Sequence, residues 1–161
     1  MTAPRRATQR KNDIAGRKRE EEWIRRLLEA APDAMVINNS KGEIVLINAQ
    51  AEQLFGYSRE ELIGQPVELL VPERFRSQHR EHRVHYFEAP RLRGMGTGLT
   101  LYGLRKDGTE LPVDISLGPC EIEGEILVLS AIRDITERKR AEEAIKAIDS
   151  LSFLPTEGHA Q

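Results

Sequence analysis

The chain has 161 residues, 39% apolar, 31% charged and 5% aromatic, with 24 basic against 26 acidic side chains and a formal net charge of −2. That length suits one domain with helical extensions and supports a core without disulfides or metals. Cys120 stands alone, which excludes an internal disulfide framework and a cysteine metal cluster, and the chain has no long apolar run of the kind that spans a membrane or leads secretion. The expectation is a reduced, cytoplasmic protein.

Residues 1–19 carry Arg5, Arg6, Arg10, Lys11, Arg17, Lys18 and Arg19 against Asp13 alone, a net +6. With so few apolar groups to bury, the stretch reads as a solvated, disordered tail. Nucleic acid is not expected as its partner, because no aromatic side chain interleaves the charges to stack on bases. Residues 20–32 then turn amphipathic. Trp23, Ile24, Leu27, Leu28 and Ala31 recur at three- and four-residue steps, and Pro32 closes the helix. Short apolar runs at 34–37 and 44–47 flank Asn38, Asn39 and Gly42, a hairpin pattern.

Ala51, Leu54 and Phe55 predict a short helix closed by Gly56. Ser58 with Glu61 three residues on forms a capping box. A longer helix should start near Pro72 and run to His85 or Phe87, followed by a connector marked by Pro90, Gly94, Gly96 and Gly98. Gly94, Gly96 and Gly98 do not form a phosphate loop, since the GxxxxGK[ST] pattern is absent.

The last third reads as sheet. Leu99, Leu101 and Gly103 alternate with Thr100, Tyr102 and Leu104, and Asp107-Gly108 is a hairpin turn. Leu111, Val113, Ile115 and Leu117 alternate with Pro112, Asp114 and Ser116. Residues 126–132 are apolar on both faces, so the outer face of this sheet needs a cover, for which the helix at 20–31 is the candidate. A final helix over 136–152 carries Ala141, Ala144, Ile145, Ile148 and Leu151 on one stripe, and a polar tail follows over 153–161. Strands in two blocks around a helical insert predict an α+β fold with an antiparallel sheet.

Three segments together resemble the PAS family of sensory modules: residues 30–73, the RKDGTELPVDISL hairpin and the closing IRDITERKRAEE. The resemblance covers about residues 22–136 and places the family's body at 33–135. It implies a five-stranded antiparallel sheet with short helices on one face, enclosing a small pocket. Met35, Ile47, Leu54, Phe55, Leu101, Ile115 and Val128 are the expected pocket lining. It also implies a non-catalytic sensor whose signal passes through flanking helices to an effector outside this chain. Arg133, Asp134 and Thr136 are the expected transfer point, with Arg133 the sequence neighbour that could pair with Asp134. Trp23, Ile24, Leu27 and Leu28 on one helix, and Ile145 and Ile148 on the other, are the expected homodimer contacts. If the C-terminal helices pair in parallel, their apolar stripe is the coupling seam. The chain reads equally well as a fragment of a larger receptor or as a stand-alone partner-binding protein.

The ligand is open. His79, His82 and His85 spread over ~120° of helix among Arg76, Arg80 and Arg83, which disfavours a shared metal ion and suggests exposed histidines. Haem is the runner-up. Haem-binding, oxygen-sensing PAS domains hold iron through a histidine in a Pro-x-x-x-Arg-x-x-His pattern, which Pro72, Arg76 and His79 match. Residues 96–100 lack the arginine that those domains bring to the bound gas. Flavin is disfavoured, because residues 48–55 lack the reactive cysteine of the light-sensing members, and Cys120 reads as a bystander. A small apolar molecule, or a core filled by its own side chains, is the leading expectation.

Overall fold

The computed structural model describes residues 4–94 and 100–152. In chain order these form α1 (Pro4–Ala30), β1 (Ala34–Asn38), β2 (Ile44–Ile47), α2 (Ala49–Phe55), α3 (Arg59–Leu62), two 3-10 turns (Val67–Leu70 and Glu73–Phe75), α4 (Arg76–Glu88), β3 (Arg93–Gly94), β4 (Leu101–Leu104), β5 (Glu110–Ile122), β6 (Glu125–Asp134) and α5 (Thr136–Ser152). No described helix is long and apolar enough to cross a membrane.

The strands make one antiparallel sheet in the order β2-β1-β6-β5-β3, with β4 also pairing β5. Six strands are seen among the described residues, and the edge beside β5 is described in two stretches, β3 and β4, on either side of residues 95–99. Arg93 pairs with Leu117 and Leu101 with Val113. Gly96, Gly98 and Leu99, and with them the arginine-free stretch and most of the glycine connector, lie outside the described residues.

Alternation sorts the strand side chains into two cores. On the inner face, Ala34, Val36, Ile44, Ile47, Leu111, Val113 and Ile132 pack with Ala51, Phe55, Leu62 and Leu70 from the helical insert. On the outer face, Ile37 and Leu127 pack with Leu28 of α1, bordered by Ile24, Met35, Val45, Leu46, Cys120, Ile122 and Leu129. The helix that ends at Ala30 is thus the expected cover of the two-sided strand. Its stripe divides on docking: Ile24 and Leu28 turn to the sheet, whereas Trp23 and Leu27 stay 72% and 67% exposed.

Two boundaries differ from the sequence reading. Residues 4–19 are not a disordered tail but the first half of α1, and the helix stops at Ala30, short of Pro32. Arg, Lys, Gln and Ala are good helix formers, and once the docked end supplies the nucleus, adding residues costs little. The helix expected from Pro72 begins as a 3-10 turn and becomes α-helical at Arg76.

Asn48 ties the ends of these elements together. Its side-chain oxygen accepts from the backbone N–H of Met35 at 2.9 Å and of Ala51 at 3.0 Å, capping α2. Its Nδ2 donates to the carbonyls of Leu28 and Asp33, each at 2.9 Å. All four of its hydrogen-bonding positions are therefore used in a fully buried site. Ser58 caps α3, its hydroxyl accepting from Glu61 N–H, while the Glu61 carboxylate accepts from Lys106 rather than completing the expected capping box. At Gly103 a Cβ would lie 3.0 Å from the Phe55 ring, so the missing side chain lets β4 close over the inner core.

Candidate functional site

The inner core holds most of the expected pocket lining. Ile47 and Phe55 are fully buried there, and Leu54, Leu101 and Ile115 pack around them. Val128 is buried on the same face, one alternation from Ser130, the partner of Val36. Met35 is the exception. It lies between Ala34 and Val36, both inward, so the strand's two-residue period sends it outward beneath α1. Ile44, Ile47, Phe55, Leu62, Leu111 and Val113 of this core are all among the fully buried residues.

At the rim of the core, the 3-10 turn at Val67–Leu70 brings Glu68 against α4. The Glu68 side chain is 2% exposed, and its Oε1 accepts from Arg83 Nε at 3.0 Å and Nη2 at 2.9 Å. Arg83 Nη1 also donates to the Ser40 carbonyl at 3.2 Å, which fastens α4 to the β1–β2 turn. That turn must present a glycine. Gly42 has φ +83°, and a Cβ there would lie 2.4 Å from the guanidinium carbon.

His79 sits one helical turn before Arg83 on the same side of α4. Its ring is half-buried rather than exposed as expected, with Nδ1 3.6 Å from Glu68 Oε1. Nδ1 and Glu68 Oε2 are both buried without a hydrogen-bond partner among the described residues. Burial pushes the imidazole pKa below its ordinary value, against the opposing pull of Glu68, while Arg83 and His82 add to the lowering. A neutral imidazole of this kind can ligate a metal, whereas an imidazolium cannot. His82 and His85 are exposed, as the sequence suggested.

The expected transfer point is assembled differently. Arg133 pairs not with Asp134 but with Asp33, through Nε at 3.1 Å and Nη2 at 3.2 Å. Adjacent strand residues point to opposite faces, which separates Arg133 from Asp134. Asp134 instead accepts from Thr136 N–H at 2.9 Å and from its hydroxyl, shaping the entry to α5. Arg105 approaches Asp134 at 3.9 Å. Arg138, in the first turn of α5, is bound to Asp114 of β5 through two hydrogen bonds. The Asp33–Arg133 pair thus places the end of α1 beside the start of α5, at one end of the sheet. Along α5, Ile145 and Ile148 are 59% and 62% exposed, and Leu151 is exposed with them.

Sequence reasoning missed Glu68, Arg83, Asp33 and Asn48 as organising residues. Only Asn48 had a local signal, an asparagine immediately before a short helix. The other partners are separated by at least 15 residues, and nothing in their neighbourhoods announces the pairing.

A family model described as a PAS domain matches residues 32–137. Sensor protein FixL of Bradyrhizobium diazoefficiens is 35% identical over 130 residues, covering 81% of this chain and 26% of that protein. The oxygen sensor protein DosP of Escherichia coli is 31% identical over 120 residues, 72% of this chain and 15% of that protein. The chain therefore spans about a quarter or less of these relatives. The crystal structure of a PAS domain from Colwellia psychrerythraea superposes with a TM-score of 0.61 at 26% identity, covering 72% of this chain and 97% of that one.

Proposed function

Because the chain belongs to the PAS domain family, we propose that it is a non-catalytic cytoplasmic sensor module that relays the state of its core through α1 and α5 to an effector. The reading includes a homodimer joined through the exposed stripes of these two helices. The observation that carries it is the Asp33–Arg133 ion pair, which places the two flanking helices at one end of the sheet. A change in β6 is then felt by both helices at once. Ile145→Asp should convert the dimer to a monomer or weaken it, as read by light scattering over a concentration series. Unchanged mass removes the α5 seam.

A second reading is favoured by His79. The spacing of Pro72, Arg76 and His79 and the half-buried neutral ring, whose Nδ1 faces Glu68 and so leaves Nε2 to ligate, suit a haem iron ligand. Haem bound there supplies an iron that takes up a diatomic gas. Glu68 stands close enough to orient the ring, and Arg83 holds that carboxylate in place. Adding haem to the purified protein and to His79→Ala separates the readings. A sharp Soret band lost in the variant makes His79 the ligand, and no haem uptake leaves the core to a small apolar molecule or to its own side chains.

A further inference from the structure

The N-terminal half of α1 leaves the body as a helix whose residues 7–22 are exposed. Gly16, Glu20, Trp23 and Leu27 recur at four-, three- and four-residue steps and so share one stripe, flanked by Arg19. Arg19, Glu20, Trp23, Ile24 and Leu27 line a shallow surface groove. Two features of this stripe have no explanation within one chain. Trp23 is largely exposed, although tryptophan is a side chain that anchors interfaces. Gly16 lies inside the helix, where glycine costs about 1 kcal/mol relative to alanine, yet a Cβ there would meet nothing within 4 Å.

Charge decides what covers the stripe. Residues 1–19 carry +6, which leaves −8 on residues 20–161 of a chain whose total is −2. Two α1 helices side by side in parallel would align the +6 segments with each other. Reversing one helix about the midpoint between Arg19 and Glu20 removes that repulsion. Arg19 of each copy then faces Glu20 of the other, and each basic arm lies along the acidic half of its partner. The same reversal sets Gly16 opposite Trp23, twice, so the bare backbone of one helix receives the indole of the other. Such a contact is isologous and closes a two-fold dimer.

We propose that α1 is an antiparallel self-docking surface for a second copy of this chain, centred on Arg19 and Glu20 with Trp23 seated over Gly16. The proposal rests on the homodimer reading above and adds its geometry.

The test uses the full chain carrying Cys120→Ser and a spin label on Asn12→Cys, an exposed position of α1. Antiparallel pairing offsets the two labels by about 22 Å along the axis, whereas parallel pairing leaves them about 10 Å apart. Arg19→Glu and Glu20→Arg should each weaken the dimer at least tenfold, and the double exchange should restore most of the loss. A monomer by light scattering removes the homodimer reading and this geometry with it. A dimer with closely spaced labels, or a double exchange no tighter than the single ones, overturns the antiparallel docking alone.

Discussion

The Asn48 side-chain amide donates a 2.9 Å hydrogen bond to the carbonyl of Leu28, twenty residues earlier. That carbonyl lies in the last turn of α1, where it also accepts from the Ala31 N–H at 3.2 Å. One asparagine therefore closes α1, opens α2 and holds β1 between them. Asn48→Ala should cost about 3 kcal/mol, because it removes an N-cap and leaves several buried backbone groups unpaired. Urea unfolding measures this, and the same variant should raise amide exchange in the last turn of α1.

Glu68 and Arg83 form a buried pair, and removing one member strands the other. Arg83→Met should destabilise the fold by about 3 kcal/mol, leaving the Glu68 carboxylate without its cation. Combining it with Glu68→Leu should recover part of that loss. Equal stability of the single and double variants in denaturant melts would contradict the pairing.

Arg74 grips Glu110 through two hydrogen bonds of 2.7 and 2.6 Å, linking the 3-10 turn before α4 to the start of β5. The hydrogen-bonded guanidinium holds the Glu110 carboxyl below the usual glutamate range. A carboxylate with a depressed folded pKa binds fewer protons folded than unfolded, so its contribution is present above the unfolded value and fades as pH falls through the folded one. Carbon-detected titration should find Glu110 ionising below the usual glutamate range. Arg74→Gln should return it to the ordinary range and flatten the acid limb of stability against pH.

Gly103→Val should destabilise by about 2 kcal/mol, since the added carbons meet the fully buried Phe55 ring. Trimming the ring with Phe55→Leu in the same chain should relieve part of the clash. Independent, additive losses in thermal melts would count against direct contact.

Much of the fold was legible because its signals are local. The alternation at Leu111, Val113, Ile115 and Leu117 identified a half-buried strand, and the two-sided run at 126–132 required an outer cover, found in Ile24 and Leu28. Met35 was misplaced because every residue of its strand up to Ile37 is apolar, so composition does not say which face is inward. Only its pairing with Ala131 between two inward neighbours decides the matter. The basic arm was misread because low hydrophobicity argues against independent folding, not against extension of a helix already anchored. At the candidate site, His79 was visible from spacing, but its environment was not. Glu68 looks like any surface glutamate until the 3-10 turn carries it under α4. Arg133 finds its partner 100 residues away, beyond any local pattern.

The outer core has an order of assembly built into it. Ile24 and Leu28 leave the ribosome about a hundred residues before Cys120, Ile122, Leu127 and Leu129, which they cover. At ~5–20 residues per second, α1 waits roughly 5–20 s with Trp23, Ile24, Leu27 and Leu28 uncovered. The long β5–β6 hairpin, whose partners are close in sequence, can form quickly once it emerges. The docking of α1 is thus the late, long-range step of folding. During synthesis, the Trp23 stripe is open to chaperones and to neighbouring nascent chains before its own sheet exists.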